Sequence, residues 1–341
     1  MATKFTRVYT GAVVVLSIAA IGSLNGPRGA RAASSDQTKW YDQYRDRPNV
    51  TVSGVMWDFY KKNNREMDPD FDKFVPKYGK GEYVDILKHS LDTDGKPVFS
   101  ESGYLVQTTW VDALTRPIIW PKPYIANRPG DVAGASPKKV AKDAGDAVTP
   151  EEDVYHWWRD YEGMNESYEA AITFTRSADT TGILGPTPRG AVYVFDSFIP
   201  KGTRRELGLK KGQDDMLGLI AEGKAKKKRY SFESDTTFVY EKGDGWWLTV
   251  SAQDDVWVYI DGKLVTDIGG AYKAKEKRPF GTQTIDLDRL EWLVDGGTYT
   301  LKIFMVDRDK GSEKSHLKVL TTIETLNLVG PGTMNPGGLF D

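Results

Sequence analysis

Residues 229–269 read RYSFESDTTFVYEKGDGWWLTVSAQDDVWVYIDGKLVTDIG, and this stretch decides the fold class. Its apolar content comes in short β-branched and aromatic runs, the composition of strands packed on a half-buried pleated surface. Asp244-Gly245 and Asp261-Gly262 punctuate the runs. Glycine tolerates the positive φ of a two-residue loop, so both are expected to be hairpin turns. On a strand, Trp246 and Trp247 must point to opposite faces.

The same texture continues on both sides. AAITFTR (170–176), GAVYVFDSFI (190–199), TQTIDL (282–287), GTYTLKIFMV (297–306) and HLKVLTTIETLNL (316–328) complete about nine runs with the four above. Strands at this spacing predict a mainly β protein built as an antiparallel β-sandwich. A smaller α or irregular segment precedes it and is expected to pack on it. Thr149-Pro150-Glu151-Glu152 is a capping box with proline at the first helical position, opening a helix over 150–161. Val154, Trp157, Trp158 and Tyr161 fall at i, i+3, i+4 and i+7, the stripe of a helix face turned to a core. The basic insertion between Arg204 and Arg229 reads as a solvated loop.

Further upstream, Asp68-Pro69 starts a short helix with Phe71 and Phe74 on one face. Residues 121–148 are rich in Pro, Gly, Ala and charge and read as a linker or long surface loop. Residues 1–32 carry Lys4 and Arg7, then an apolar run from Ala12 to Leu24, then Ala30 and Ala32 as an A-x-A cleavage site. They read as a signal peptide, the apolar run being shorter than the ~20 residues of a membrane span. The organisation expected is therefore a leader (1–32), an N-terminal segment (33–148), a sandwich with its leading helix (149–329) and a disordered tail (330–341).

Composition narrows the chemistry. The 341 residues hold 46 Lys+Arg against 48 Asp+Glu, with three His and no Cys. Without cysteine there is no disulfide framework, thiol nucleophile or thiolate metal site. His89, His156 and His316 are too dispersed in sequence for a histidine cage. Removing residues 1–32 takes away four basic groups and leaves 42 basic against 48 acidic, a balance that argues against nucleic acid as a partner. No G-x-S-x-G, H-E-x-x-H or phosphate-cradling glycine loop occurs in the chain.

Asp254 and Asp255 stand between two strand runs, at one edge of the expected sandwich. Two adjacent carboxylates with loop carbonyls offer the hard oxygens of a calcium site, which needs ~6–8 of them. The same residues equally serve to cap a turn by accepting backbone N–H bonds. Both readings remain open at this point.

A resemblance adds to this. The segments MDPDFDKF, LDTDGKPVF, YHWWRDYEGMN, AVYVFDSFIP, then 229–270, TQTIDLDRL and VDGGTYTLKIFMVDRD, in this order, resemble the fibro-slime domain family. That family is related to the protective-antigen-type sandwich of flocculins and secreted glycosidases. The resemblance implies an extracellular module for adhesion, surface matrix or carbohydrate binding. In sugar-binding relatives two neighbouring aspartates hold calcium, which bridges to sugar hydroxyls. Matching the shared I-D-G turn puts that pair at Gln253 and Asp254, where an amide replaces one carboxylate. A shift of one residue puts it at Asp254 and Asp255. The family's G-G-V-H is here Gly269-Gly270-Ala271-Tyr272, without the histidine. Asp307, beside Arg308, stands where relatives carry an acid at the end of the penultimate strand.

The expectation is thus a secreted, non-enzymatic surface or extracellular-matrix protein mediating adhesion or assembly. Its partners would be cell-surface glycans or matrix proteins, with self-association possible and no membrane span after cleavage. Candidate ligand-binding residues are Gln253, Asp254, Asp255, Trp257 and Asp307, with calcium as the possible cofactor at Asp254 and Asp255. The alternatives are a calcium-dependent carbohydrate-binding module and, last, a carbohydrate-active enzyme with a carboxylate pair between Val50 and Trp120.

Overall fold

The computed structural model describes residues 39–59, 82–100, 103–106, 108–135, 138–139, 152–162, 164–177, 192–196, 230–252, 254–269, 281–307 and 317–328. The chain divides into a unit Met1–Lys39, of which only Lys39 is described, and a unit Trp40–Asp341. The expected leader 1–32, the Asp68 helix, the insertion 204–229 and the tail 330–341 lie outside the described residues, as do 136–137 and 140–148 of the expected linker.

The second unit is mainly β, as the run pattern predicts. Its strands are β1 (Asn49–Asp58), β2 (Glu82–Val84), β3 (Tyr104–Val106), β4 (Trp110–Val111), β5 (Pro117–Ile118), β6 (Lys138–Lys139), β7 (Glu166–Ser177), β8 (Val192–Asp196), β9 (Tyr230–Val239), β10 (Trp247–Ala252), β11 (Asp255–Ile260), β12 (Lys263–Ile268), β13 (Gly281–Asp286), β14 (Thr298–Asp307) and β15 (Leu317–Thr321). One helix, α1 (Glu152–His156), precedes β7. Ten strands form a single antiparallel sheet in the order β12-β11-β14-β9-β1-β7-β8-β15-β10-β13.

That sheet curls until its two ends meet, so the expected layers are opposed halves of one nearly closed barrel. Val52, Ile172, Phe174, Leu248, Leu301 and Ile303, from β1, β7, β10 and β14, line one small interior space. At the seam, no backbone ladder joins β12 to β13. The Gln283 side chain substitutes for it: its Oε1 accepts from Asp267 N–H at 2.8 Å and its Nε2 donates to Asp267 C=O at 2.8 Å. A primary amide matches a peptide group donor for acceptor, so one side chain satisfies both edge groups. The outer edge of β12 is covered by residues 83–91, through Tyr83 N–H to Gly269 O (2.9 Å), Gly269 N–H to Tyr83 O (2.8 Å) and Leu264 N–H to His89 O (3.0 Å). Neither edge strand is left open as a template for another chain.

Strand β1 lies in the middle of the sheet, between β9 and β7. Its sequence NVTVSGVMWD alternates, with Val50, Val52 and Met56 buried on the inner face and Trp57 on the outer. Gly54 interrupts the alternation for a steric reason. A Cβ there would lie 2.2 Å from the Glu233 carbonyl oxygen and 2.8 Å from the Phe232 ring. Gly54→Ala must therefore push β1 from β9, and the overpacking is expected to cost about 1–3 kcal/mol. Urea unfolding checks this, and an unchanged midpoint would contradict it.

Two details differ from the expectations. Asp261-Gly262 does close the β11–β12 hairpin, with φ of 51° and 74°. Asp244-Gly245, however, is not a hairpin turn, because β9 pairs with β1 and β14 while β10 pairs with β13 and β15. The chain leaves β9 by pairing Tyr240 with Gly296 and Gly297 (2.8 and 2.9 Å), then crosses to the other half of the barrel. The second difference concerns the helix. Rather than filling 150–161, α1 ends at His156, and the chain turns through 157–165. The Asn165 amide captures His156 C=O (3.1 Å) and Arg159 C=O (2.8 Å), and its oxygen accepts from Tyr161 N–H (3.0 Å). These bonds replace a further helical turn.

The core reading of Val154, Trp157 and Trp158 holds: all three are buried. Tyr161 is instead exposed, because the chain has left the helix before reaching it. Trp246 and Trp247 do take opposite faces, and both are covered. Trp246 joins the main core, while Trp247 packs with Val192 and Leu320 on the other side.

Candidate functional site

The register of the sheet gathers several turns at one end of the barrel. Ala252 pairs with Gly281 and with Leu317, Asp255 pairs with Val306, and Val256 pairs with Ile268. The connections after β10, β12 and β14 therefore leave the same rim. Asp254 sits in the first of them, Asp255 opens β11 directly after it, and Asp307 closes β14 one position beyond Val306. So Asp254, Asp255 and Asp307, distant in sequence, share one rim by backbone register. Gln253 and the connections 270–280 and 308–316 are outside the described residues.

Within that rim the Asp254 and Asp255 side chains are not on the surface. Asp254 is 1% exposed and Asp255 0%. Trp257 is wholly buried on the outer face of the sheet, its Nε1–H donating to Asp267 Oδ1 at 3.1 Å. Among the described residues, no group of three or more His, Asp or Glu side chains is placed to hold a metal ion. Two carboxylates fall well short of calcium's oxygen requirement, so the described residues do not by themselves fit that ion.

A second constellation was not anticipated from sequence. It lies on the outer face of β12, under the covering segments 83–91 and 121–126. Asp267 is wholly buried, and so is Lys122, whose side chain is 1% exposed. The Lys122 ammonium contacts Asp85 Oδ1 directly, and lies 3.4 Å from Asp267 Oδ2 and 3.2 Å from His89 Nε2. Asp85 also accepts from His89 Nε2 at 2.9 Å, an assignment that places the ring proton on Nε2, and its N–H donates to Asp267 Oδ2 at 2.8 Å. Tyr124 O–H donates to Leu264 C=O (3.0 Å), and Tyr259 O–H donates to Lys88 C=O (2.9 Å).

The electrostatics follow from this geometry. Burial by itself would raise the Asp85 carboxyl, yet the His89 hydrogen bond and the Lys122 charge outweigh it and bring it down to about 2. Asp267 goes the other way: burial, joined by the charge of Asp85, raises it against the pull of Lys122. Burial likewise raises the Tyr124 and Tyr259 phenols. With Lys122 and Asp267 sealed from solvent, this cluster clamps the covering segments to the barrel. An acid inside the strand run KLVTDIG was the one sequence signal for it. Its partners at positions 85, 89 and 122 had none.

Comparison with known proteins bears on the rim. Protein psiQ of Dictyostelium discoideum is 28% identical over 55% of this chain, and Protein psiP of the same organism is 26% identical over 84% of it. The chain spans 17% and 32% of the lengths of these two relatives. A solved structure titled as the PA14 sugar-binding domain from RTX adhesin aligns over 31% of this chain and 52% of its own, at 13% identity. Its TM-score is 0.21, too low to bear on the fold. Strands β9 to β15 and the rim they build fall within residues 215–327, which match the PA14 domain, while β1, β7 and β8 complete the same sheet from outside that match.

Proposed function

We propose that this chain is an exported, non-enzymatic surface or extracellular-matrix protein that mediates adhesion or assembly by binding cell-surface glycans or matrix proteins. Its working face is the loops around Gln253 to Asp255, Ala271 to Lys275 and Asp307 to Lys310. The observation that carries this reading is the register: three connections of a PA14-matched segment leave one end of the barrel together. The export-type leader and the fibro-slime resemblance support the extracellular placement. No helix among the described residues is long and apolar enough to cross a membrane.

Purified protein incubated with cell surfaces and an immobilised polysaccharide panel tests it. The expected result is binding that drops about tenfold, roughly 1.4 kcal/mol, in Tyr272→Ala, from the connection after β12. Circular dichroism confirms that the variant is folded. Protein that stays monomeric and binds neither polysaccharide nor cells would remove the reading. Calorimetric titration with calcium decides the lectin alternative: uptake together with chelator-sensitive binding selects it, and no uptake at millimolar calcium eliminates it.

A further inference from the structure

The turn that follows α1 presents an aromatic surface that neither the barrel core nor the rim uses. Val154, Trp157 and Trp158 face inward, so Tyr155 and Tyr161 are left outward, 47% and 49% exposed. His156 lies between them. Its ring is 5.5 Å from Tyr155, edge-on, and 4.2 Å from Tyr161, tilted by 48°. Large exposed aromatics are uncommon here: Trp40 completes the set among the described residues.

This surface is rigidly held. Asn165, itself buried, fixes three backbone groups of the turn, Trp158 is anchored in the core, and Trp57 Nε1–H donates to Asp160 Oδ1 at 2.8 Å. A ligand therefore meets aromatic rings whose positions are already set, which lowers the ordering cost of binding. The surroundings are acidic. Asp94, with its side chain 65% exposed, lies 3.5 Å from Arg159, and Glu162 is exposed beside Tyr161. Arg159, which also pairs with Asp92, holds its guanidinium 3.9 Å from the centre of the Tyr155 ring. One tyrosine face is thus already engaged by a cation.

Planar rings suit the apolar C–H face of a pyranose, and an excess of carboxylates suits a positive charge. From this complementarity we infer that Tyr155, His156 and Tyr161 form a second glycan site, separate from the rim, that takes amino sugars with a free, protonated amine. The sugar face stacks on Tyr161 and the ammonium is met by Asp94 and Glu162. A neutral hexose would use only the rings, and an N-acetylated sugar would forgo the charge interaction with Asp94 and Glu162.

Isothermal titration of the full chain with a glucosamine oligomer, its N-acetylated form and a cello-oligosaccharide of equal length tests this. The expected result is that the glucosamine oligomer binds about tenfold tighter than the other two, the difference weakening with added salt. Tyr155→Ala/Tyr161→Ala should abolish that binding, and Asp94→Asn should weaken it without changing the thermal midpoint. Equal affinity for the three oligomers, or binding that survives in the double tyrosine variant, would overturn the assignment. So would an absence of binding by the folded wild-type chain. Loss of surface adhesion in the rim variant with oligomer binding intact would leave this site standing while removing the rim reading.

Discussion

Lys122→Met is expected to destabilise the fold by about 3–5 kcal/mol, because it strips the buried Asp267 carboxylate and the half-buried Asp85 carboxylate of the ammonium between them. Methionine keeps most of the volume, so the loss is electrostatic. The pH dependence identifies the cause. Asp267 is raised in the folded chain, so the native state holds its proton more tightly than the unfolded one, and its contribution to stability falls as pH rises through that raised value. Removing Lys122 takes away the charge that opposes this shift. The penalty should therefore shrink on acidification toward the ordinary carboxyl range, where Asp267 takes up a proton and no longer needs a counter-charge.

Asp85 behaves oppositely in the wild type. Its depressed value contributes stability that is complete above the ordinary 3.8 and is lost as pH falls through about 2. Urea midpoints for wild type and Lys122→Met between neutral pH and about pH 4 measure the difference. A penalty that is constant across that range would show that packing, rather than buried charge, accounts for the loss. Asp267→Asn in the Lys122→Met background should recover part of the stability for the same reason.

Trp158→Ala is expected to cost a similar amount, about 3–5 kcal/mol. The indole is fully buried, 5.3 Å from the Phe304 ring and 6.0 Å from Trp257, both in T-shaped contact, and its N–H donates to Phe232 C=O at 3.2 Å. It carries the packing of the α1 turn on the outer face of β9, β11 and β14. Truncation leaves a cavity that rigid strands on one side cannot fill. Trp158→Phe retains most of the contact area and should cost less than half as much. Thermal unfolding followed by near-UV circular dichroism reads both variants, and comparable losses for Ala and Phe would place the energy in the hydrogen bond instead.

These two residues show how unevenly the sequence displays its own structure. Each of the nine runs read from residue 170 onward contains a strand, because each carries its own β-branched, aromatic pattern. Trp158 was legible as core, since helical spacing with Val154 and Trp157 needs only local information. Strand β1 was harder to see, because Gly54 breaks its alternation for the sake of a neighbour, Glu233, that is remote in sequence. Asp244-Gly245 misled for a related reason: turn chemistry specifies a change of direction and says nothing about which strands then pair.

The candidate sites divide in the same way. Asp254, Asp255 and Asp307 stood out as residue types at strand ends, and the register then brought them to one rim. The burial of Asp254 and Asp255 was not readable, since exposure depends on what covers a turn. The clamp of Asp85, His89, Lys122 and Asp267 and the outward ring cluster of Tyr155, His156 and Tyr161 are visible only in the tertiary structure. By itself the sequence determined the β class, the strand positions and the inward tryptophans, because periodicity and turn preference act over a few neighbouring residues. Only the tertiary structure decided that the sheet closes through Gln283, that β1 runs through its middle, and which charges are buried together. Those outcomes depend on contacts between residues far apart in the chain, whose energies no local pattern encodes.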